Sequence, residues 1–278
     1  MLIKRGSSGY LPSIFDAFFN DSAEISEQSV LFTRPDFNVY ETDKEFVVEA
    51  AVPGLEKKDF NIEVNDNVLQ ISSEKEIKEF QLKAKKYPID PVVAHIAYLP
   101  NLAAQDESMY TKSIQSFGIE IKRCKILGIP YLVIHSGSYK GGSFEEGFNT
   151  YVDSIMKGIE LAEGQVQILI ENTGGEKNSI TDKFENIERV LNEIGDHKSI
   201  GTCFDICHGF VAGYDMRDER KVNHTVEAID STFGVNSIKV IHANDAKGEL
   251  GSNLDRHEHV GLGNIGEKGF KALINHPK

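Results

Sequence analysis

Three cysteines at irregular spacing are too few for a disulfide framework, and they suit a reducing compartment. No apolar run approaches the ~18 residues of a membrane span, and the N-terminus shows no apolar segment of a secretory signal. The expected setting is the cytoplasm, with no membrane partner. Also lacking are a Walker A loop, a dinucleotide fingerprint and an HExxH pair. Basic residues are in deficit: 30 Lys and Arg against 43 Asp and Glu leave a formal charge of −13. Such a balance argues against indiscriminate gripping of phosphate backbones. It leaves room for a nucleic-acid enzyme whose acids hold cations, since three divalent ions would bring −13 to −7. The excess acid sits mostly at the front, where residues 1–78 carry 8 basic and 15 acidic groups and the longer remainder carries 22 and 28.

What is present is globular in composition, 40% apolar and 26% charged, and 278 residues suffice for two domains or one barrel. The pattern changes near residue 76. Before it the period is two. Phe46, Val48, Ala50 and Val52 alternate with Glu45, Val47, Glu49 and Ala51, while Phe60, Ile62 and Val64 alternate with Asn61, Glu63 and Asn65. Asp66-Asn67 then offers a turn before Leu69 and Ile71, so a hairpin is expected over 60–72, and Pro53-Gly54 supplies another turn. Upstream, Leu11 to Phe19 is an apolar patch in an acidic arm, either a cap on local structure or a sticky surface for self-association.

After residue 76, apolar strands alternate with long amphipathic segments. Strands are expected at 92–99, 131–136, 166–171, 200–206 and 238–243, with helices near 106–127, 144–163, 181–194 and 218–233. Gly128 and Pro130 stop the first helix. The charged stretch EKEIKEFQLKAKKY suits a helix better than a linker. Regular βα alternation means a parallel sheet covered by helices. The chain thus reads as an N-terminal arm (1–34), a small antiparallel β unit (35–76) and an incomplete TIM-type (β/α) barrel (77–278) with about five of eight strands.

Every one of the five strands ends in a potential metal ligand: His95, His135, Glu171, Asp205 and His242. Strand parity puts each on the face shared with Val93, Val133, Leu169, Cys203 and Val240. The intervening Ala94, Ile134, Ile170, Phe204 and Ile241 would pack under helices. In a parallel barrel the C-terminal strand ends converge on one rim, where catalytic groups sit. His208 and the Asp255-Arg256-His257 run add donors from loops, the latter within a long stretch, 245–265, expected to lack regular structure. One such histidine alone is most simply a hydrogen-bonded core or surface residue. Five ionisable groups on one parity are costly to bury together without a partner, and mixed His and carboxylate donors suit zinc or a similar ion.

Other candidates are plainer. Cys203 and Cys207 read as small core residues. Asn172 to Gly175 reads as a chain turn, Tyr98 as a rim residue, and Lys83 to Lys86 as a solvated helix face. His197, His224 and His276 read as surface residues.

The blocks HIAYLPNL, GIPYLVIHSGS, ILIENTGG, CFDICHGFVAGYD, IHANDAKGELGSNLDRHEHVG and GNIG resemble, in order, the signature blocks of endonuclease IV, the zinc-dependent AP endonuclease family, over roughly residues 79–278. The resemblance implies a three-zinc site. His95 and His135 would hold one ion, Glu171 would bridge to a second held by Asp205 and His242, and His208, Asp255 and His257 would hold the third. It further implies phosphodiester hydrolysis on the 5′ side of an abasic site in duplex DNA, with Glu171 catalytic and Tyr98 and Arg256 contacting substrate. The five strands correspond to the third to seventh of that family's eight. The resemblance therefore also implies an open barrel and leaves the family's eighth-strand glutamate, a ligand of the second zinc, without a counterpart. Ser136, Tyr139 and Leu262 depart from the usual residues of the blocks.

The segment PDFNVYETDKEFVVEAAVPGLEKKDFNIEVNDNVLQISSEKE resembles part of the α-crystallin domain of small heat-shock proteins. It implies an alternative, a chaperone-like or oligomerising fusion carrying a non-catalytic barrel, with self-association through residues 1–76 or through the open barrel edges. A sugar isomerase of similar barrel architecture is a third reading, disfavoured by the DRHEHVG and CFDICHGF blocks.

Overall fold

The computed structural model describes residues 37–41, 46–50, 60–65, 68–87 and 89–278. The arm 1–34 with its apolar patch, and the turns at Pro53-Gly54 and Asp66-Asn67, lie outside the described residues. The chain divides into two compact units, Met1–Ser72 and Ser73–Lys278.

In the first, β1 (Phe37–Glu41) pairs antiparallel with β2 (Phe46–Ala50). A second two-stranded pair joins β3 (Phe60–Asn65) to β4 (Val68–Ser73), at the place expected for the hairpin. The second unit begins with the acidic-basic stretch that follows, which is a helix, α1 (Glu74–Lys86), with Lys83 ion-paired to Glu79 at 2.8 Å on a solvated face.

The second unit is a half-barrel. Its parallel sheet runs in chain order, β5 (Val93–His95), β6 (Tyr131–Ile134), β7 (Gln167–Glu171), β8 (Ile200–Asp205) and β9 (Ile238–His242). Helices α2 (Glu107–Leu127), α3 (Phe144–Ala162) and α4 (Phe184–Ile194) connect the first four strands. Two helices, α5 (Ile206–Val211) and α6 (Glu219–Ser231), separate β8 from β9, and α7 (Gly266–Ile274) closes the described chain. The boundaries follow local chemistry. Asp106 caps α2 by accepting from Met109 N, Gly128 ends it at φ 73°, and Ser143 with Glu146 forms a reciprocal capping box on α3.

Two layers of side chains follow from strand parity. Leu132, Ile134, Ile168, Ile170, Ile200 and Phe204 pack outward under the helices in the main core. Gly158 lets α3 approach closely, since a Cβ there would lie 2.4 Å from the Phe117 ring and 2.9 Å from Ile168. On the inner face Val133, Leu169 and Cys203 form a small buried floor flanked by Val93, Tyr131 and Val240.

The edges depart from expectation. The first barrel strand is only Val93–His95, not 92–99: Ile96 N still bonds Val133 O at 2.9 Å, but Tyr98 and Leu99 then run out along the rim toward Pro100. On β9 the register slips, with Thr202 opposite Ile238 and Cys203 opposite Val240, so Lys239 is an extra residue. The slip moves Ile238 to the helix side and Val240 with His242 to the inner side. Ile241, expected under helices, is instead 58% exposed. Among the described residues no helix is long and apolar enough to cross a membrane.

Candidate metal centre

All eight ligands expected from the sequence meet at the C-terminal rim of the sheet. Glu171, at the end of β7 and 1% exposed, is the hub. Its Oε2 lies 2.9 Å from His95 Nε2 and 3.5 Å from His135 Nε2, and its Oε1 lies 2.9 Å from His242 Nδ1 and 3.5 Å from His208 Nδ1. Asp205 Oδ2 is 3.5 Å from His242 Nδ1 and 4.0 Å from His257 Nε2. Asp255 Oδ1 reaches His208 Nε2 at 3.3 Å and His257 Nε2 at 3.1 Å. Ligand atoms of His95, His135 and Glu171 lie within 4.8 Å of one another, as do those of Glu171, Asp205 and His208 and those of His208, Asp255 and His257.

The surrounding polar groups aim these donors. His95 Nδ1 lies 2.7 Å from Ile96 O, so Nδ1–H donates to that carbonyl and Nε2 is left facing Glu171. His208 Nδ1 is likewise held by Asn172 O at 2.9 Å, which turns Nε2 toward Asp255. Asn172 does more than the chain turn expected for it. Its Oδ1 accepts from Asp205 N at 2.7 Å and its Nδ2 donates to Asp205 O at 2.9 Å, locking the end of β8 to the end of β7. Asp205 Oδ1 accepts from His208 N at 2.9 Å and so starts α5, and Asn244 Nδ2 donates to its other oxygen at 2.7 Å. One short helix turn therefore brings Asp205 and His208 into the same site.

The stretch 245–265 has little regular structure, as expected, but is built around one carboxylate that sequence reasoning missed. Asp245 is fully buried, and its two oxygens accept from the backbone N–H groups of Ala246, Gly261, Gly263, Ile265 and Gly266 at 2.8–3.1 Å. With the short antiparallel pair β10 (Asp245–Ala246) and β11 (His257–Glu258), this hub folds the loop back so that Asp255 and His257 reach His208. The glycines of GLGNIG, each able to bring its N–H close, were the available signal.

Burial opposes ionisation of Glu171 most strongly, yet hydrogen bonds from His242 and His95, with His135 and His208 nearby, outweigh it and hold the carboxyl well below its usual range. His242 is pushed up by Asp205, Cys203 and Glu171, and His208 rises to about 9 because Asp255, Asp205 and Glu171 overcome its burial. His135 moves the other way, since burial disfavours its charge. Its buried Nε2 has no hydrogen-bond partner. A close set of carboxylates that demands positive charge, beside a buried imidazole nitrogen with no bond, fits a divalent cation with mixed O and N donors.

A cleft of about 530 Å³ opens beside this set, lined among others by Tyr98, His135, Asn101, His208, Asp255 and Arg256. Tyr98 is 81% exposed, and its ring stacks on His135 at 5.4 Å between centroids. Asn101 ties the Tyr98 loop to the β6 loop, donating from Nδ2 to Ser138 O and accepting from Ser138 N, both at 2.9 Å. Gly137 makes that clip possible: it sits at φ +76°, and a Cβ would come 2.2 Å from Asn101 Oδ1. Arg256 is exposed and anchored by Nη1 on Asp255 O at 2.8 Å. His197 and His224 are exposed and away from the set, and Cys124, Cys203 and Cys207 are all buried.

The family described as xylose isomerase-like TIM barrel matches residues 54–278. The protein named Probable endonuclease 4 of Methanoculleus marisnigri is 46% identical over 190 residues, covering 68% of this chain and 67% of its own length. Its namesake from Nitrosopumilus maritimus is 43% identical over 204 residues, covering 72% of each. Among solved structures, endonuclease IV from Thermus thermophilus superposes with a TM-score of 0.66 at 27% identity, over 75% of this chain and 73% of that one. A D-tagatose 3-epimerase-like protein shares the fold at a TM-score of 0.57 and 21% identity, over 73% of this chain and 71% of that one. The chain belongs to the endonuclease IV (AP endonuclease) family of the xylose isomerase-like TIM-barrel superfamily.

Proposed function

We propose that the chain hydrolyses the phosphodiester bond 5′ to abasic sites in duplex DNA, at a zinc centre shared by the eight donors. The observation that carries this reading is the convergence of His95, His135, Asp205, His208, His242, Asp255 and His257 with Glu171 from five strand ends, helix α5 and the 245–265 stretch. His95 and His135 would hold one ion, Asp205 and His242 a second, with Glu171 shared between them. His208, Asp255 and His257 would hold a third. Zinc, when bound, supplies Lewis-acid charge against a phosphoryl oxygen and makes water nucleophilic near neutral pH.

The chain's own residues do the rest. Glu171 fixes the spacing of the donors, because four imidazoles face its two oxygens. Asn172 and Asn244 hold Asp205 in one orientation. On the rim, the exposed Tyr98 ring offers a flat face for a base or sugar drawn out of the duplex, and Arg256 offers a guanidinium to a flanking phosphate. Specific donors at the cleft, in place of a broadly basic surface, reconcile a charge of −13 with a DNA substrate.

The test is nicking of a duplex carrying one abasic analogue, with metal analysis of the same samples. Wild-type chain loaded with zinc should cut on the 5′ side, and Glu171→Gln should lose at least a hundredfold in rate together with part of its metal. Equal inactivity of metal-loaded wild type and variant would refute the reading.

A further inference from the structure

The loop after β7 forms a turn that the metal centre does not use. Glu176 O accepts from Ser179 N at 3.0 Å and Asn178 sits at φ 67°, so Lys177 stands at the apex of a closed four-residue turn. Hydrogen bonds pin the loop on both flanks. On one, Tyr139 N donates to Asn178 O at 3.1 Å and joins the turn to the β6 loop. On the other, Asn253 Nδ2 donates to Gly174 O at 2.9 Å, and Gly175, at φ +86°, leaves that amide the room a Cβ would fill. The Glu176 carboxylate folds back toward Gly174, where an added Cβ would lie 2.8 Å from its Oε1. Lys177 and Ser179 line the cleft. Lys140, next to Tyr139, is carried to the same place by the loop-to-loop bond. Both lysines are exposed, and neither is ion-paired among the described residues.

We propose that Lys177 and Lys140 take adjacent non-scissile phosphates of the DNA strand entering the cleft, apart from the phosphate offered to Arg256. The inference rests on the reading of the chain as an abasic-site nuclease and adds residues that hold the duplex. Three features carry it. A chain of charge −13 needs local cations to draw a polyanion, and two uncommitted ones stand on neighbouring loops at the cleft. The hydrogen bonds that pin the turn fix its backbone beforehand, which lowers the cost of ordering it on binding. An ammonium group grips any phosphate without reading a base, so the contact is equal in ground and transition states.

Nicking kinetics of the zinc-loaded chain on a duplex with one abasic analogue, run from about 50 to 200 mM salt, test this. Lys177→Gln should raise KM about 3- to 10-fold and leave kcat within about twofold. The slope of log(1/KM) against log salt should flatten by about 1, and by about 2 when Lys140→Gln is added. Lys198→Gln, an exposed change before β8 at the opposite end of the sheet, should alter neither KM nor slope. Unchanged KM and slope in Lys177→Gln, or a fall in kcat alone, overturns the phosphate contacts and leaves the nuclease reading standing. Equal flattening by Lys198→Gln also overturns them, since overall charge would then account for the effect. Zinc-loaded wild type that cuts nothing overturns both readings.

Discussion

Replacing Asp245 with Asn keeps shape and volume but removes one acceptor from a hub that feeds five backbone N–H groups. Oδ1 takes Ala246 and Ile265, and Oδ2 takes Gly261, Gly263 and Gly266. The best amide rotamer points its oxygen at the three glycines and its NH2 at Ala246 and Ile265, leaving two buried donors facing donors. At about 1–3 kcal/mol for each orphaned group, the cost centres on roughly 4 kcal/mol. That is about a thousandfold in the equilibrium for local opening of residues 245–266. Native-state hydrogen exchange reads it directly. The amides of Gly261, Gly263 and Ile265 should exchange about a thousandfold faster in the variant, while those in the middle of α2 and α3 stay within a few fold. Metal retained at Asp255 and His257 should fall in parallel. Unchanged protection of these amides would refute the hub, and equal loosening of α2 and α3 would show a global effect instead.

Asn172→Ala should free Asp205 and His208 to rotate and weaken zinc binding by about 10- to 100-fold in competition with a chelator, with the fold intact by circular dichroism. Gly158→Ala should destabilise the half-barrel by about 1–3 kcal/mol in denaturant melts, because the new methyl meets the Phe117 ring at 2.4 Å. Gly137→Ala should break the Asn101 clip and release the Tyr98 loop, seen as a larger loss in KM than in kcat for abasic DNA. Asp215 is held at about 2, against a usual 3.8, chiefly by its hydrogen bond with Arg217. Its depressed value means that the stability it lends is complete above the usual value and is lost as pH falls toward 2. Wild type should therefore lose stability relative to Asp215→Asn over that window, and parallel melting curves would contradict the assignment.

The half-barrel was legible because two periodicities agree with it: apolar strands ending in His, Glu or Asp on one parity, and amphipathic segments of helical length between them. Five of the eight donors follow from that parity, since a parallel sheet brings strand ends to one rim, while His208, Asp255 and His257 lie outside it and came from the segments after the strands and the family resemblance. What stayed hidden has a common cause. Asn172 and Asp245 act by side-chain to backbone bonds and Asn244 by a side-chain to side-chain bond, across 16 to 39 residues, and such bonds leave no periodic trace. The slip at Lys239 is equally silent: Ile238, Val240 and His242 read as one face, yet Ile238 lies on the other side. Ile241 pairs with Phe204 on the helix side yet faces solvent, because β9 is the last strand of the sheet. The brevity of β5 reflects the rim path taken by residues 97–100, where Tyr98 and Leu99 are apolar enough to pass for strand.

The convergence of eight donors is tested most directly by counting zinc per chain in protein loaded with the metal and dialysed free of excess. Two to three ions for the wild type, falling by at least one in Glu171→Gln, is the predicted result. A wild type that retains none, with its half-barrel folded, would contradict it.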